Sequence, residues 1–510
     1  MNTKELLGHV GEFWDARILP TLMDYVKIPN ESPMFDKDWA KHGHMERAVS
    51  LVEQWMKTNG PPDLQVRVLR EGKRTPLILA ELPGSLPQTV LLYGHLDKQP
   101  PMTGWRKGLG PWTPVLDRQG RLYGRGGADD GYSAFAAVAL ARALKASGQP
   151  HARLVMLIEC CEESGSPHLP HYLAVCKKQI GSPSLVIALD SGAGNYERLW
   201  STTSLRGLLQ VGLKVEVLRE GVHSGIAGGI VPSPFRIARL LLDRLEDPAT
   251  GRILPAELQV DIPPARIEQA RRAARVLGSA VGTDFPFVKG AQPQVDNIVE
   301  LLLNNSWRAA LTITGQEGIP ETGKGGNVLY PSVSLKISLR IPPGVKPGKA
   351  GPAIKKLLEA DPPHGARVSV SAGGMEGWEA PPLAPWLGEA LDAASREIFG
   401  KDACHFGLGG TIPFMQMIGD KFPKAQFLIT GVLGPHSNAH GPNEFLHVPY
   451  AKRLTCCLVR ILAAHHDHYA GSGLSERMYT APAPFPSISL RTGETPCCAG
   501  LLREAAFLYK

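Results

Sequence analysis

Thr89-Val-Leu-Leu-Tyr93, followed at once by Gly94-His-Leu-Asp97, decides the fold class of this chain. A short run that is apolar or β-branched at every position fits a strand buried on both faces, the habit of sheets covered by helices. Polar residues placed directly after such a strand lie at the carboxyl edge of the sheet, where open α/β folds bind their ligands. Outward from it, residues 64–69 and 76–80 also read as strands, as do 153–158 and 184–189, and an Ala-rich helical stretch fills 132–146. Helical periodicity covers the first 60 residues, with Leu6, Val10, Phe13 and Trp14, then Ala48, Leu51, Val52, Trp55 and Met56, recurring at three and four. Strand and helix in alternation predict an α/β layer architecture.

The pattern changes near residue 204. Residues 204–218 alternate apolar and polar, helical arrays follow at 234–246 and 263–276, and residues 332–340 and 366–371 alternate again. Half-exposed strands with helices on one side describe an α+β insert rather than more of the same sheet. After about residue 383 a helix at 386–399 and an apolar strand at 425–430 resume the earlier style, so the insert interrupts one domain. The Gly-, Ser- and Pro-rich stretch from 471 to 510 reads as a loosely held tail with a short docking helix at 500–510 and a role that its residues do not disclose.

At 510 residues the chain is too long for one ordinary core. Its net charge of +7 is modest and its Lys and Arg form no long run, which argues against nucleic acid as a partner. No stretch approaches the roughly 20 apolar residues that span a bilayer, and the polar N-terminus lacks the apolar core of a secretory signal, so a cytoplasmic location is expected. Adjacent pairs such as Cys160-Cys161 and Cys456-Cys457 suit neither a disulfide framework nor a thiolate zinc site.

Acids and histidines cluster where strands end. His95 and Asp97 are two apart and share a face in extended chain, so Asp97 can fix one imidazole nitrogen while the other binds metal. Glu162-Glu163 follows another buried strand, and such neighbours repel unless a cation or a proton intervenes. One could then bind metal while the other moves protons. Asp190 ends a third strand. Asp129-Asp130 follows Tyr123-Gly-Arg-Gly-Gly-Ala128, which lacks the Gly-x-Gly-x-x-Gly or Lys-Ser/Thr pattern of a phosphate loop and fits a turn that delivers an acid. His440 and His436 share one loop, and the residues alone leave the choice between them open. Any one of these motifs alone reads better as an ordinary loop or solvated charge. Together, carboxylate and imidazole without thiolate point to a two-metal hydrolase using zinc, manganese or cobalt.

With its motifs in this order, the chain resembles the di-zinc metallopeptidase family that includes carnosinases, other dipeptidases, glutamate carboxypeptidase and aminoacylase, and within it the carnosinase-like cytosolic non-specific dipeptidase branch. The likeness runs over about residues 10–465. It implies two metal ions per chain, with His95 and Asp190 on one, Glu163 and His440 on the other, and Asp129 bridging. The form His440-Gly-Pro-Asn-Glu444 selects His440 over His436. Glu162 would be the general base and Asp97 would orient His95. His223, in Gly221-Val-His-Ser-Gly225, would steady the oxyanion of a neighbouring subunit, and Arg340 would bind the substrate's terminal carboxylate, with Asn327, Gly410 and Thr411 also contacting substrate. The chain departs from the family at Asp129-Asp-Gly131, where many members have a lysine after the two acids.

The expected architecture is therefore an α/β catalytic domain with a mixed sheet flanked by helices, from residues 1–203 and 384–470, interrupted by an α+β lid and dimerisation domain at 204–383. The expected reaction is hydrolysis of a dipeptide or of a C-terminal residue with a free carboxylate, by a homodimer. Two alternatives stand beside it: a deacylase for N-acyl amino acids, and a non-catalytic binding protein on the same scaffold.

Overall fold

The computed structural model describes residues 1–471. The expected tail therefore lies outside the described residues, apart from Gly471, which ends the helix Val448–Gly471. The described chain forms two compact units: one from Met1–Thr203, Ala380–Phe406 and residues from 413 on, the other from Ser204–Glu379 and Gly407–Ile412.

The first unit is built on a mixed sheet in the order Gln65–Leu69, Leu77–Leu82, Ala152–Glu159, Leu86–His95, Pro183–Ala188, Gln426–Ile429 and Trp200–Leu205. The central strand Leu86–His95 runs parallel to Ala152–Glu159 on one side and to Pro183–Ala188 on the other. Every residue of Ala152–Glu159 and of Pro183–Ala188 is buried, which is why these runs carry no alternation. Helix Tyr132–Ala146 is also buried over most of its circumference, and its many alanines permit the close approach of its neighbours. The chain leaves the central strand toward one neighbour and returns beyond it to the other. At such a reversal the strands' carboxyl ends are where open α/β sheets bind their ligands. The strand continues further than the apolar run suggests, to His95 itself, because its pairing to the next strand continues through His95 opposite Glu159.

The second unit holds a four-stranded antiparallel sheet in the order Ala310–Glu317, Ser332–Ile341, Gly207–Glu216 and Arg367–Met375. Its alternation is what a sheet with one wet face needs. Leu209, Val211, Leu213 and Val215 face Val333, Leu335, Ile337 and Leu339 in one core, backed by Ile237 and Leu241 of helix Pro234–Leu242 and by Ile354 and Leu358 of helix Pro347–Glu359. Each such side chain contributes about 1.5–3 kcal/mol on burial. The α+β character expected of the insert is that of this unit. Among the described residues no helix is long and apolar enough to cross a membrane, and six cysteines are buried and free.

Candidate metal centre

Three neighbouring strand ends deliver three of the acids and one histidine. His95 is the last residue of the central strand. Glu162 and Glu163 form a single turn just past Ala152–Glu159 on one side, and Asp190 follows Pro183–Ala188 on the other. Asp129 arrives from a tight turn, Gly127–Gly131, immediately before helix Tyr132–Ala146. The glycines of this segment have a steric reason: at Gly126 (φ +80°) a Cβ would lie 2.5 Å from the Lys98 side chain, and at Gly131 it would lie 2.2 Å from the Tyr25 ring. The latter clash also explains the departure at position 131, since the Tyr25 ring occupies the space that any side chain there would need.

These residues converge on Asp129. Its Oδ1 lies 3.3 Å from His95 Nε2 and its Oδ2 lies 3.0 Å from His440 Nε2. His95 Nε2 is also 3.8 Å from Asp190 Oδ2, and His440 Nε2 is 3.5 Å from Glu163 Oε2. One ligand atom each from His95, Asp129 and Asp190 falls within 4.8 Å, as does one each from Asp129, Glu163 and His440. Asp129 thus belongs to two triads, one oxygen turned to each. His440 occupies this place although its side chain is 57% exposed. His436 is exposed in the same loop.

The donor atoms are prepared for a cation. His95 Nδ1 lies 3.1 Å from the Asp97 carbonyl and donates to it, which leaves Nε2, turned to Asp129 and Asp190, as the nitrogen for a metal. His95 Nε2 and Glu163 Oε1 are buried with no hydrogen-bond partner, a costly state for polar atoms that a metal ion would relieve. Nitrogen and carboxylate oxygen without sulfur fit a borderline divalent ion.

Asp97 does more than the spacing suggested. Its carboxylate is 3.5 Å from His95 Nδ1, while its two oxygens accept the backbone N–H groups of Glu162 and Glu163 at 3.0 Å each. Asp97 thus holds His95 through its carbonyl and carboxylate together and also uses the carboxylate to set the Glu162-Glu163 turn. Two further groups had no assigned role in the sequence reading. Asp130 Oδ2 accepts the N–H of His95 at 3.2 Å, and Gln99 Nε2 donates to Glu163 Oε2 at 2.5 Å. Asp130 was visible as half of an acid pair, and Gln99 carried no signal beyond following the His95 motif.

The electrostatics follow from crowding six buried acids, Asp97, Asp129, Asp130, Glu162, Glu163 and Asp190. Burial holds the Glu162 carboxyl well above its usual range, with the charges of Asp190 and Glu163 adding to it. Burial and the charge of Asp129 likewise raise Glu163. Burial opposes ionisation of Asp129, but His440 and His95 outweigh it and hold the carboxyl far down. The histidines show the reciprocal effect: desolvation works against their charged forms, yet Asp129 and the neighbouring acids hold His95 well above the usual imidazole range and His440 at about 9.

The remaining candidates lie in the second unit, in two groups. Arg340 donates to Thr411 Oγ1 at 3.2 Å, and the Thr411 hydroxyl donates to the Arg206 carbonyl at 2.6 Å. Arg206 itself escaped the sequence reading. It is 6% exposed, donates to the carbonyls of Gly409, Asn304 and Arg308, and is pulled down to about 10 by burial and by the charge of Arg340. Gly410 is exposed within the same segment. His223 and Asn327 form the other group: the exposed His223 pairs in register with Val328, and the Ser224 N–H donates to the Asn327 carbonyl at 2.9 Å.

Known proteins resemble this chain in sequence and in fold. A model described as Peptidase family M20/M25/M40 matches residues 91–464. The chain is 27% identical over 384 residues to the cysteinylglycine-S-conjugate dipeptidase of Corynebacterium striatum, covering 71% of this chain and 79% of that one. It is 28% identical over 390 residues to the Cys-Gly metallodipeptidase DUG1 of Saccharomyces cerevisiae, covering 73% and 78%. The crystal structure of human carnosine dipeptidase 1 superposes with a TM-score of 0.71 over 91% of this chain and 99% of that one at 21% identity, a likeness of fold.

Proposed function

The chain belongs to peptidase family M20/M25/M40, and from that premise we propose that it is a metal-dependent dipeptidase that hydrolyses a peptide bond next to a free carboxylate. The observation that carries this reading is Asp129, whose two oxygens face His95 and His440 separately within two triads. His95 and Asp190 would hold one ion, Glu163 and His440 the other, and Asp129 both. Two such ions, when bound, supply Lewis acidity to the scissile carbonyl and a water acidified toward neutral pH. The donor set suits zinc, with manganese or cobalt as the other fits.

Glu162 performs the proton work. It is 8% exposed, its backbone is held by Asp97, and its carboxyl is raised by burial, as a group that accepts the water's proton and returns it to the leaving amine requires. Arg340 offers the substrate carboxylate a planar fork of N–H donors, with Thr411 and Gly410 alongside and Asn327 as a further substrate contact. His223 acts on the oxyanion of a partner subunit. Its exposure supports that role, as does its exposed apolar neighbourhood, with Ile226 at 75% and Ile230 at 81%, so we propose a homodimer formed through this unit. The buried free cysteines support a reducing, cytoplasmic setting.

A panel of dipeptides and N-acyl amino acids assayed alongside metal analysis tests the reading. Turnover of dipeptides with about two equivalents of metal is expected, and turnover confined to N-acyl amino acids would overturn it. The relatives carry dipeptidase names, which disfavours the deacylase reading. Metal-free protein recovered from metal-replete solution would favour a binding protein instead. Mixing Glu162→Ala with His223→Ala chains should restore activity, and confirmed subunit exchange without rescue would end the trans role of His223.

A further inference from the structure

Two segments meet beside His440: residues 123–131, which carry Asp129, and residues 434–447, which carry His440. A buried side-chain pair that the chemistry above does not use joins them. Arg125 is 1% exposed and Glu444 is fully buried. One terminal nitrogen of Arg125 forms an ion pair with Glu444 Oε2, while the other donates to the carbonyls of His440 and Gly441 at 2.9 and 3.0 Å. Glu444 Oε1 in turn accepts the N–H of Gly126 at 2.9 Å, and the Gly124 N–H donates to the Glu444 carbonyl at 3.0 Å. Asn443 fastens the loop on its other side by accepting the N–H of Arg106 at 2.8 Å.

The loop needs this hold. Asn438, His440 and Asn443 all have left-handed backbones, with φ of +52°, +64° and +61°, conformations that persist in residues other than glycine only where the surroundings impose them. The grip falls on the peptide of His440 itself, and the same pair touches the chain three residues before Asp129.

We propose that Arg125 and Glu444 are positioning residues for one half of the metal centre: they set the His440 backbone so that Nε2 reaches Asp129 and Glu163. The proposal rests on the two-metal reading above. The His95 half has no such need, because the sheet fixes His95 directly. A guanidinium suits the task, since it serves a carboxylate and two carbonyls from one rigid plane and an ammonium does not.

The test is a cobalt(II) titration of the metal-free full-length chain, followed by visible absorption and calorimetry, with His440→Ala marking which equivalent belongs to the His440 side. Arg125→Lys should weaken that equivalent by about 10–100-fold, the usual effect of losing a group that supports a ligand, and leave the other within about twofold. Binding of both equivalents as in the unaltered protein, or equal weakening of both, would overturn the proposal. Arg125→Met/Glu444→Gln leaves no unpaired buried charge and covers the case in which Arg125→Lys fails to fold. It should show the same selective loss, and unchanged binding in it would overturn the proposal too. In a His440→Ala background, Arg125→Lys should leave the remaining equivalent within about twofold, and a further fall there also counts against it. If the unaltered protein takes up fewer than two equivalents, the metal-centre reading itself fails. Two equivalents there, unchanged in the variants, sink only the positioning role.

Discussion

The two halves of the candidate centre share Asp129 but are built by opposite means. His95 is the last residue of a buried strand and is fully buried, and Asp190 follows the neighbouring strand. His440 stands in a left-handed loop with 57% of its side chain exposed. The ladder on both sides of the central strand fixes the first half. The second half depends on the contacts a loop makes, chiefly those of Arg125 and Glu444. Equivalent ligands can thus differ in stiffness, and a metal site inherits the rigidity of whatever backbone carries each donor.

Asp129→Ala should have the largest effect, because it removes the group common to both halves. Both equivalents of metal and all measurable turnover should go, and retention of either ion at normal affinity would dissolve the idea of a shared acid. Glu162→Gln comes next and touches neither half. It should keep both ions and lower kcat by about 10²–10⁴-fold, the usual worth of a general base, and an unchanged kcat refutes the assignment. Replacing the histidines separately sharpens the contrast. His95→Ala opens a void beneath buried acids and should lower thermal stability as well as metal content, whereas His440→Ala, at a half-exposed side chain, should lose one ion and lower the metal-free protein's stability by less than His95→Ala does. Equal destabilisation in thermal melts would show the halves to be alike after all.

Proton release on metal uptake is a subtler test. In the metal-free chain His440 is held at about 9 and His95 well above its usual range, so both are protonated at pH 7, and metal needs the free base. Burial also holds the ligand Glu163 at about 8, so affinity should rise with pH until about 9 and fall as pH drops, with release of roughly three protons at pH 7. Calorimetry in buffers of different ionisation heat reads this number, and a value near zero would contradict the picture. The smallest effect belongs to His436→Ala, which should change kcat/KM by less than about twofold, since it is His440 that faces the acids.

Much of the catalytic framework is legible in the sequence. Fully apolar runs announce the buried strands, and the strict alternation at residues 332–340 announces a half-exposed one that the structure finds as Ser332–Ile341. Each candidate ligand sits in a short motif at a strand end or a turn. The supporting groups are harder to see. Gln99 and Arg206 look like any polar residue in a loop or at a strand start, and their roles lie in a carboxylate and a set of carbonyls that are far away in the chain.

The sequence by itself determined which side chains could serve, because burial periodicity and donor chemistry are local properties of a chain. Only the tertiary structure decided how they are used. It turned the two oxygens of Asp129 toward different histidines, gave the carboxylate of Asp97 the backbone of Glu162 and Glu163 to hold besides the imidazole, and joined Arg125 to a loop more than 300 positions away. Hydrogen bonds depend on separations of about 3 Å and on direction, and no spacing along a chain encodes those between distant segments.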